Sequence, residues 1–275
     1  MYSGTTLRTK SGRVMGVHQR IDRLARRSLD DLTLKHSAFP GIRAILHFEG
    51  LNGPDGIKRK SPGQDEPWHY IDPSDPNDNA LREMIEDHIV NLSEALAINN
   101  QTRAAFEAAW LAHAITDGLT PAHHYPLEEK LEELRGNETL ETRDSVLKKI
   151  FVPGKNKMAL LRNNWEYWGA KGVMTTHFGF ELGVATTISA ARVKEIVPSI
   201  SNITRVKEHG FIHVFDDALK HVAKLDLYDE YIKAGWTRRL ARDTREKLVP
   251  EIVQTVSLAW YDAVLRAEEI KGNER

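Results

Sequence analysis

At 275 residues the chain can bury a full-sized core, and a composition of 41% hydrophobic and 28% charged residues is ordinary for a soluble globular protein. A formal net charge of −1 gives no overall pull toward nucleic acid or an anionic membrane, and no run of about eighteen apolar residues is present to span a bilayer. The absence of cysteine excludes disulfides and thiolate metal sites, so any metal would be held by His, Asp, Glu, backbone or water, as in a catalytic-type site.

Residues 1–11 are polar and read as loose, and the first thirty residues contain no apolar signal core, so the expected compartment is cytoplasmic, or secreted if a signal has been removed. From Gly12 to Leu29, Val14, Val17, Ile21 and Leu24 recur at helical spacing, with His18 at the edge of the stripe. Arginines dominate the other side, with Asp22 the one acid between residues 8 and 27. The apolar face favours a core helix over an organelle transit segment. Residues 38–50 suggest a short helix. About twenty-five residues rich in Gly, Pro and Asp follow, a length that is usually functional or disordered. Trp68, Tyr70 and Ile71 flanking His69 argue against disorder, so the stretch reads as an ordered active-site loop carrying Asp55 and His69.

Asn79 to Ile98 is an amphipathic helix with Leu81, Ile85, Ile89, Leu92 and Leu96 inward, capped by Asp78 or Asn79 and closed by Asn99-Asn100. The alanine-rich stretch around Trp110 favours helix as far as Gly118. On it Phe106, Trp110, His113 and Asp117 share one stripe. An imidazole and a carboxylate four residues apart can hold one cation between them. Gly118 and Pro121 then turn the chain and return His123 toward the end of the helix. A single such pair is most simply a core histidine beside a helix-end aspartate. Three potential ligands from His113 to His123, with the helix break between them, point to a metal instead.

Residues 127–150 read as a charged, solvated helical face, and residues 156–168 end in Trp165-Glu-Tyr-Trp168. Gly172 to Arg192 is rich in Ala, Gly and Thr, as a closely packed inner helix would be, and carries His177 and Glu181 at i, i+4. Ile203 to Ala223 reads as another helix, and Thr237 to Ile270 as one long helix or two broken at Pro250. With no strand-type alternation and no internal repeat, the expected fold is all-α, a single domain over residues 1–275 with nine or ten helices.

The candidate ligands divide naturally into Asp55, His69, His113 and Asp117 around one metal, and His123, His177 and Glu181 around a second, with His18 as a further candidate. Paired metals suit phosphate-ester hydrolysis, because one activates water while both neutralise charge on the attacking and leaving oxygens. A rival set lies at His213, Asp217 and His221, one turn apart each, with His209 a turn earlier. No glycine- or proline-bounded loop serves it, and Phe211, Phe215 and Leu219 point the helix's buried side elsewhere, so it reads as polar surface. His36, His47 and His124 read as structural or supporting, and Asp72 as a possible orienting partner of His69.

The run His113-x-x-x-Asp117-x-x-x-x-x-His123, the later His177-x-x-x-Glu181, the Asp55-to-His69 step and His18 opening His-Gln-Arg-Ile-Asp-Arg together resemble the zinc-dependent phospholipase C family, whose fold is shared with the single-strand-specific nucleases. Pro-Trp-His-Tyr-Ile-Asp around His69 is most like the nuclease branch. The likeness covers roughly residues 14–185. It implies an all-helical fold, usually three zinc ions (other divalent metals also suit such ligands), phosphodiester hydrolysis, and Asp55 as catalytic base or orienting group. In that family the third metal takes the amino group of an N-terminal tryptophan together with the first-helix histidine and the bridging aspartate. Here no tryptophan precedes Trp68 and the chain begins at Met1, so His18 and Asp117 would need another partner or waters. The segment 125–176 is longer than in typical phospholipases and is a candidate lid or specificity element. The functional expectation is a metal-dependent phosphoesterase acting on a phospholipid, nucleic acid or small phosphodiester. The alternatives are a nuclease-like phosphodiesterase and a non-catalytic helical binding protein stabilised by metal.

Overall fold

The computed structural model describes residues 1–2, 16–32, 39–56, 70–124, 133–134, 152–190 and 196–273. Of the expected loose stretch 1–11, residues 3–11 lie outside the described residues, as do His36, His69 and nearly all of the charged segment 127–150. Among those described, every regular element is helical. In chain order the α-helices are α1 (Val17–Leu32), α2 (Ile42–His47), α3 (Ala80–Ala97), α4 (Gln101–Gly118), α5 (Lys157–Trp168), α6 (Val173–Ala190), α7 (Ile200–His209), α8 (Phe211–Ala223), α9 (Leu227–Ala234), α10 (Arg238–Asp243) and α11 (Val249–Asn273).

The amphipathic reading of α3 holds: Leu81, Ile85, Ile89, Leu92 and Leu96 are all buried. Asn79 occupies its cap position, but neither predicted residue caps with its side chain; Asp78 instead accepts the backbone N–H of Asp72 at 2.8 Å. At the head of α4, Asn100 does cap, its side chain accepting from the Arg103 N–H at 3.1 Å. Alanines at 104, 105, 108, 109, 112 and 114 let neighbouring helices close in, and thirteen of the eighteen residues of α4 are buried. Helix α11 lies on α1, α3, α4, α7 and α8. Its Trp260 is fully buried and donates through Nε1 to the Ala108 carbonyl at 3.0 Å, so its one polar atom is satisfied inside the core.

Two boundaries differ from expectation. The predicted helix over 203–223 is two helices, because Gly210 takes φ of +78°, a left-handed conformation that ends α7 and redirects the chain into α8. Helix α9 lies between them and the C-terminal run and was not foreseen, bringing the described total to eleven α-helices. The C-terminal run is not broken at Pro250. It continues from α10 through a π-type turn at Thr244–Leu248 into α11, leaving Pro250 in the first turn, where a missing N–H costs little.

Helix α6 has the expected inner character. Cβ atoms added at Gly179 and Gly183 would fall 2.2 Å from the Tyr231 hydroxyl and 2.3 Å from the Trp236 ring, so the two glycines let α9 and the residues just after it press against α6. A small second apolar cluster of Leu134, Val152 and Tyr167, with Met174 against it, ties α5 to the start of α6. No helix among the described residues is long and apolar enough to cross a membrane.

Candidate metal centre

Four elements converge on the C-terminal end of α4. Helix α1 contributes His18, α4 contributes His113 and Asp117, the 3-10 turn Pro121–His123 contributes His123, and α6 contributes His177 and Glu181. All six side chains are buried. The turn is placed by local chemistry: the Thr120 hydroxyl donates to the Thr116 carbonyl at 2.7 Å, and the His123 N–H donates to the Thr120 carbonyl at 2.8 Å. Beyond it, the Ile71 N–H donates to the His123 carbonyl at 3.3 Å, and the Tyr70 ring stacks on His123 with centroids 5.1 Å apart. The segment that follows His69 is thereby pinned to the site.

Two groups of three could each hold a metal ion: His18, His113 and Asp117 in one, His123, His177 and Glu181 in the other. The second is the predicted set. In it the Nε2 atoms of His123 and His177 lie 3.1 and 3.0 Å from Glu181 Oε1. In the first, Asp117 stands between two imidazoles, with Oδ1 3.2 Å from His18 Nε2 and Oδ2 3.3 Å from His113 Nε2. Of the ligands expected there, Asp55 is adjacent rather than within the three, its Oδ1 3.9 Å from His113 Nε2, and its side chain is 31% exposed. His69 lies outside the described residues. His18 takes the third place because α1 crosses α4 at the level of His113, so that the two rings stack.

His18 and Asp117 are both met by Met1. The Met1 amine is buried and bonded to Asp117 Oδ1, lies 3.3 Å from Glu181 Oε1 and 3.5 Å from His123 Nε2, and the Met1 carbonyl lies 2.9 Å from His18 Nε2. Met1 thus contacts members of both groups. The sequence reading put Met1 in a loose stretch over residues 1–11; at Met1 that expectation fails, because a terminal amine leaves no residue pattern and here it is buried against two carboxylates.

These contacts set the charges. Burial alone would lower the pKa of the Met1 amine, but the Asp117 and Glu181 carboxylates outweigh it and lift it from 8.0 to about 10. Burial likewise works against ionised Asp117 and Glu181, yet the amine and the neighbouring histidines hold both well below the usual carboxylate range. His113 is pushed up by Asp117 and Glu49 despite its burial, whereas burial holds His123 down at about 4. Imidazole nitrogens and carboxylate oxygens aimed at common points, with no thiolate, form a donor set that fits zinc or a similar divalent ion.

Two further buried acids lie behind the first group and were not identified from the sequence. Glu49, at the start of the 3-10 turn Gly50–Asn52, has Oε1 3.4 Å from His113 Nδ1, the ring nitrogen turned away from Asp117. A carboxylate there fixes the ring's orientation and tautomer so that Nε2 faces the site. Asp22, one turn after His18, is buried with neither oxygen hydrogen-bonded, and burial together with the Glu49 charge raises its pKa well above the usual range. The one signal available was the i, i+4 spacing of His18 and Asp22.

The other sequence candidates fall outside the centre. His124 donates through Nε2 to the Gly118 carbonyl at 2.7 Å, which makes it a brace of the turn. Asp72 is exposed and accepts from Ser74 at 2.7 and 2.6 Å. His209, His213 and His221 are exposed and Asp217 is half-buried; His221 pairs with Glu251 at 2.9 Å and Asp217 with Arg205, so the rival set is polar surface. Compared with known proteins, the chain matches no family model, no curated protein and no solved structure.

Proposed function

We propose that the chain is a metal-dependent phosphoesterase that hydrolyses phosphodiester bonds at a di- or trinuclear zinc centre, of the kind found in the zinc-dependent phospholipase C and single-strand nuclease family. The observation that carries the reading is the meeting of two buried three-residue ligand groups on either side of a single amine, with Asp117 central to the first. A helical protein has no structural need to bury four imidazoles against two carboxylates, because buried ionisable groups stabilise a fold poorly.

In this reading His18, His113 and Asp117, with Asp55 beside them and His69 as a further ligand that the resemblance implies, hold one part of the metal set, and His123, His177 and Glu181 the other. The ions, when bound, supply an activated water and charge neutralisation on the phosphoryl oxygens. Asp55 is the accessible acid at the rim and takes the role of base or orienting group for that water. Glu49 keeps His113 turned toward the centre, and Tyr70 covers the His123 and His177 rings on one side.

The test is hydrolysis of bis-para-nitrophenyl phosphate, phosphatidylcholine and single-stranded DNA by zinc-loaded protein, with elemental analysis of the same sample. Turnover abolished by chelator and absent in Asp55→Asn is expected. Metal-loaded protein that hydrolyses none of the three, yet loses thermal stability on chelation, would favour a metal-stabilised binding protein instead.

A further inference from the structure

Helix α5 presents its apolar side chains to water. Met158, Leu161 and Trp165 are 77%, 69% and 71% exposed, and Trp168 is 40% exposed. At helical spacing these four fall within one quadrant of the helix, while Tyr167 on the opposite side is buried. Of the twelve large hydrophobic residues exposed among those described, five lie on α5 and two, Phe178 and Leu182, on α6. Scattered apolar residues need no explanation, but a contiguous stripe marks a surface that is covered in use.

The surroundings indicate what covers it. Between residues 153 and 171, Lys155, Lys157, Arg162 and Lys171 are exposed against a single acid, Glu166, although the chain as a whole carries a net charge of −1. A helix that exposes tryptophan, leucine and methionine on one face, with cations beside it, suits the plane of a lipid interface. Single-stranded nucleic acid would use the tryptophans for stacking but would leave Met158 and Leu161 against phosphate and water. Helix α5 is also joined to the candidate centre: it packs on α6, which carries His177 and Glu181, and the Thr175 hydroxyl at the start of α6 donates to the Trp168 carbonyl at 2.9 Å.

We infer that the exposed face of α5, formed by Met158, Leu161, Trp165 and Trp168 with its flanking cations, docks the protein on an anionic lipid surface. The inference goes beyond the phosphoesterase reading and does not require turnover.

It is tested by co-sedimentation with vesicles of phosphatidylcholine alone and of phosphatidylcholine containing phosphatidylserine. The wild-type chain should partition onto the anionic vesicles, and less so as salt is raised. The double variant Leu161→Ala/Trp165→Ala should bind them roughly ten-fold or more weakly. Arg162→Gln or Lys157→Gln should each weaken binding by about five-fold. All of these residues are exposed, so thermal stability should be unchanged, and hydrolysis of bis-para-nitrophenyl phosphate should match wild type. Failure to bind either vesicle, or binding indifferent to these substitutions, overturns the inference while leaving the hydrolytic reading intact. So does tighter retention of single-stranded DNA through the same residues, or a dimer abolished by the double variant without vesicle binding. Vesicle binding without hydrolysis of any diester would overturn the catalytic proposal alone.

Discussion

The imidazole ring of His18 lies flat against that of His113, with centroids 3.9 Å apart and planes 9° from parallel, and each points Nε2 at a different oxygen of Asp117. Asp117 is thereby met on one oxygen by α1 and on the other by its own helix. The arrangement makes Asp117 the residue whose loss is felt furthest.

Asp117→Ala should therefore remove ions from the first group while His123, His177 and Glu181 keep theirs. Elemental analysis is expected to fall from two or more equivalents to about one. The metal-free variant should also lose on the order of 3 kcal/mol in denaturant unfolding, because the buried Met1 amine loses its nearest counter-charge. Unchanged metal content would show that Asp117 is not a shared ligand.

Glu49→Gln tests the support behind His113. A glutamine retains the size but not the charge facing Nδ1, 3.4 Å away, so affinity at the first group should drop about ten- to a hundred-fold, read by competition with a chromogenic chelator. The second group should be unaffected. Equal losses at both groups would make Glu49 a general structural residue and not an orienting one.

The parts of this site legible in the sequence were those with periodicity. His113 and Asp117, and His177 and Glu181, share a spacing that helix geometry converts directly into proximity, and the Gly118 to Pro121 break announced the return of His123. Glu49 begins a short 3-10 turn, where spacing encodes no face, and Asp22 stood among arginines that drew the reading toward the surface. The helix break at Gly210 was hidden because the apolar pattern runs on from Val206 through Phe211 and Phe215, and only the left-handed backbone at the glycine separates the two helices. The surface histidines show the converse: regular spacing without burial produces no site.

That contrast makes a control. His213→Ala together with Asp217→Ala should leave metal content and turnover at wild-type values, and stability within about 1 kcal/mol, since His213 is exposed, Asp217 is half-buried, and its pairs with His213 and Arg205 lie at the surface. A drop in bound metal would restore the cluster as a binding site.

The amino terminus provides a test that needs no metal. In the folded protein the Met1 amine is lifted from 8.0 to about 10, because Asp117 and Glu181 outweigh the burial that opposes its charge. A group whose pKa is raised on folding contributes its full stability below the unfolded value and loses it as pH rises through the folded one. For metal-free protein the contribution should be complete below pH 8 and fade between pH 8 and 10, a change of roughly 3 kcal/mol. Lysines and tyrosines also titrate in alkali, so the comparison is with N-terminally acetylated protein, in which the amine is neutral throughout. Below pH 8 the unmodified chain should be the more stable of the two in chemical unfolding, and the gap should close by pH 10. A gap that stays constant across this range would mean that acetylation acts through bulk alone and that the buried ammonium does not help to hold Asp117 and Glu181 in place.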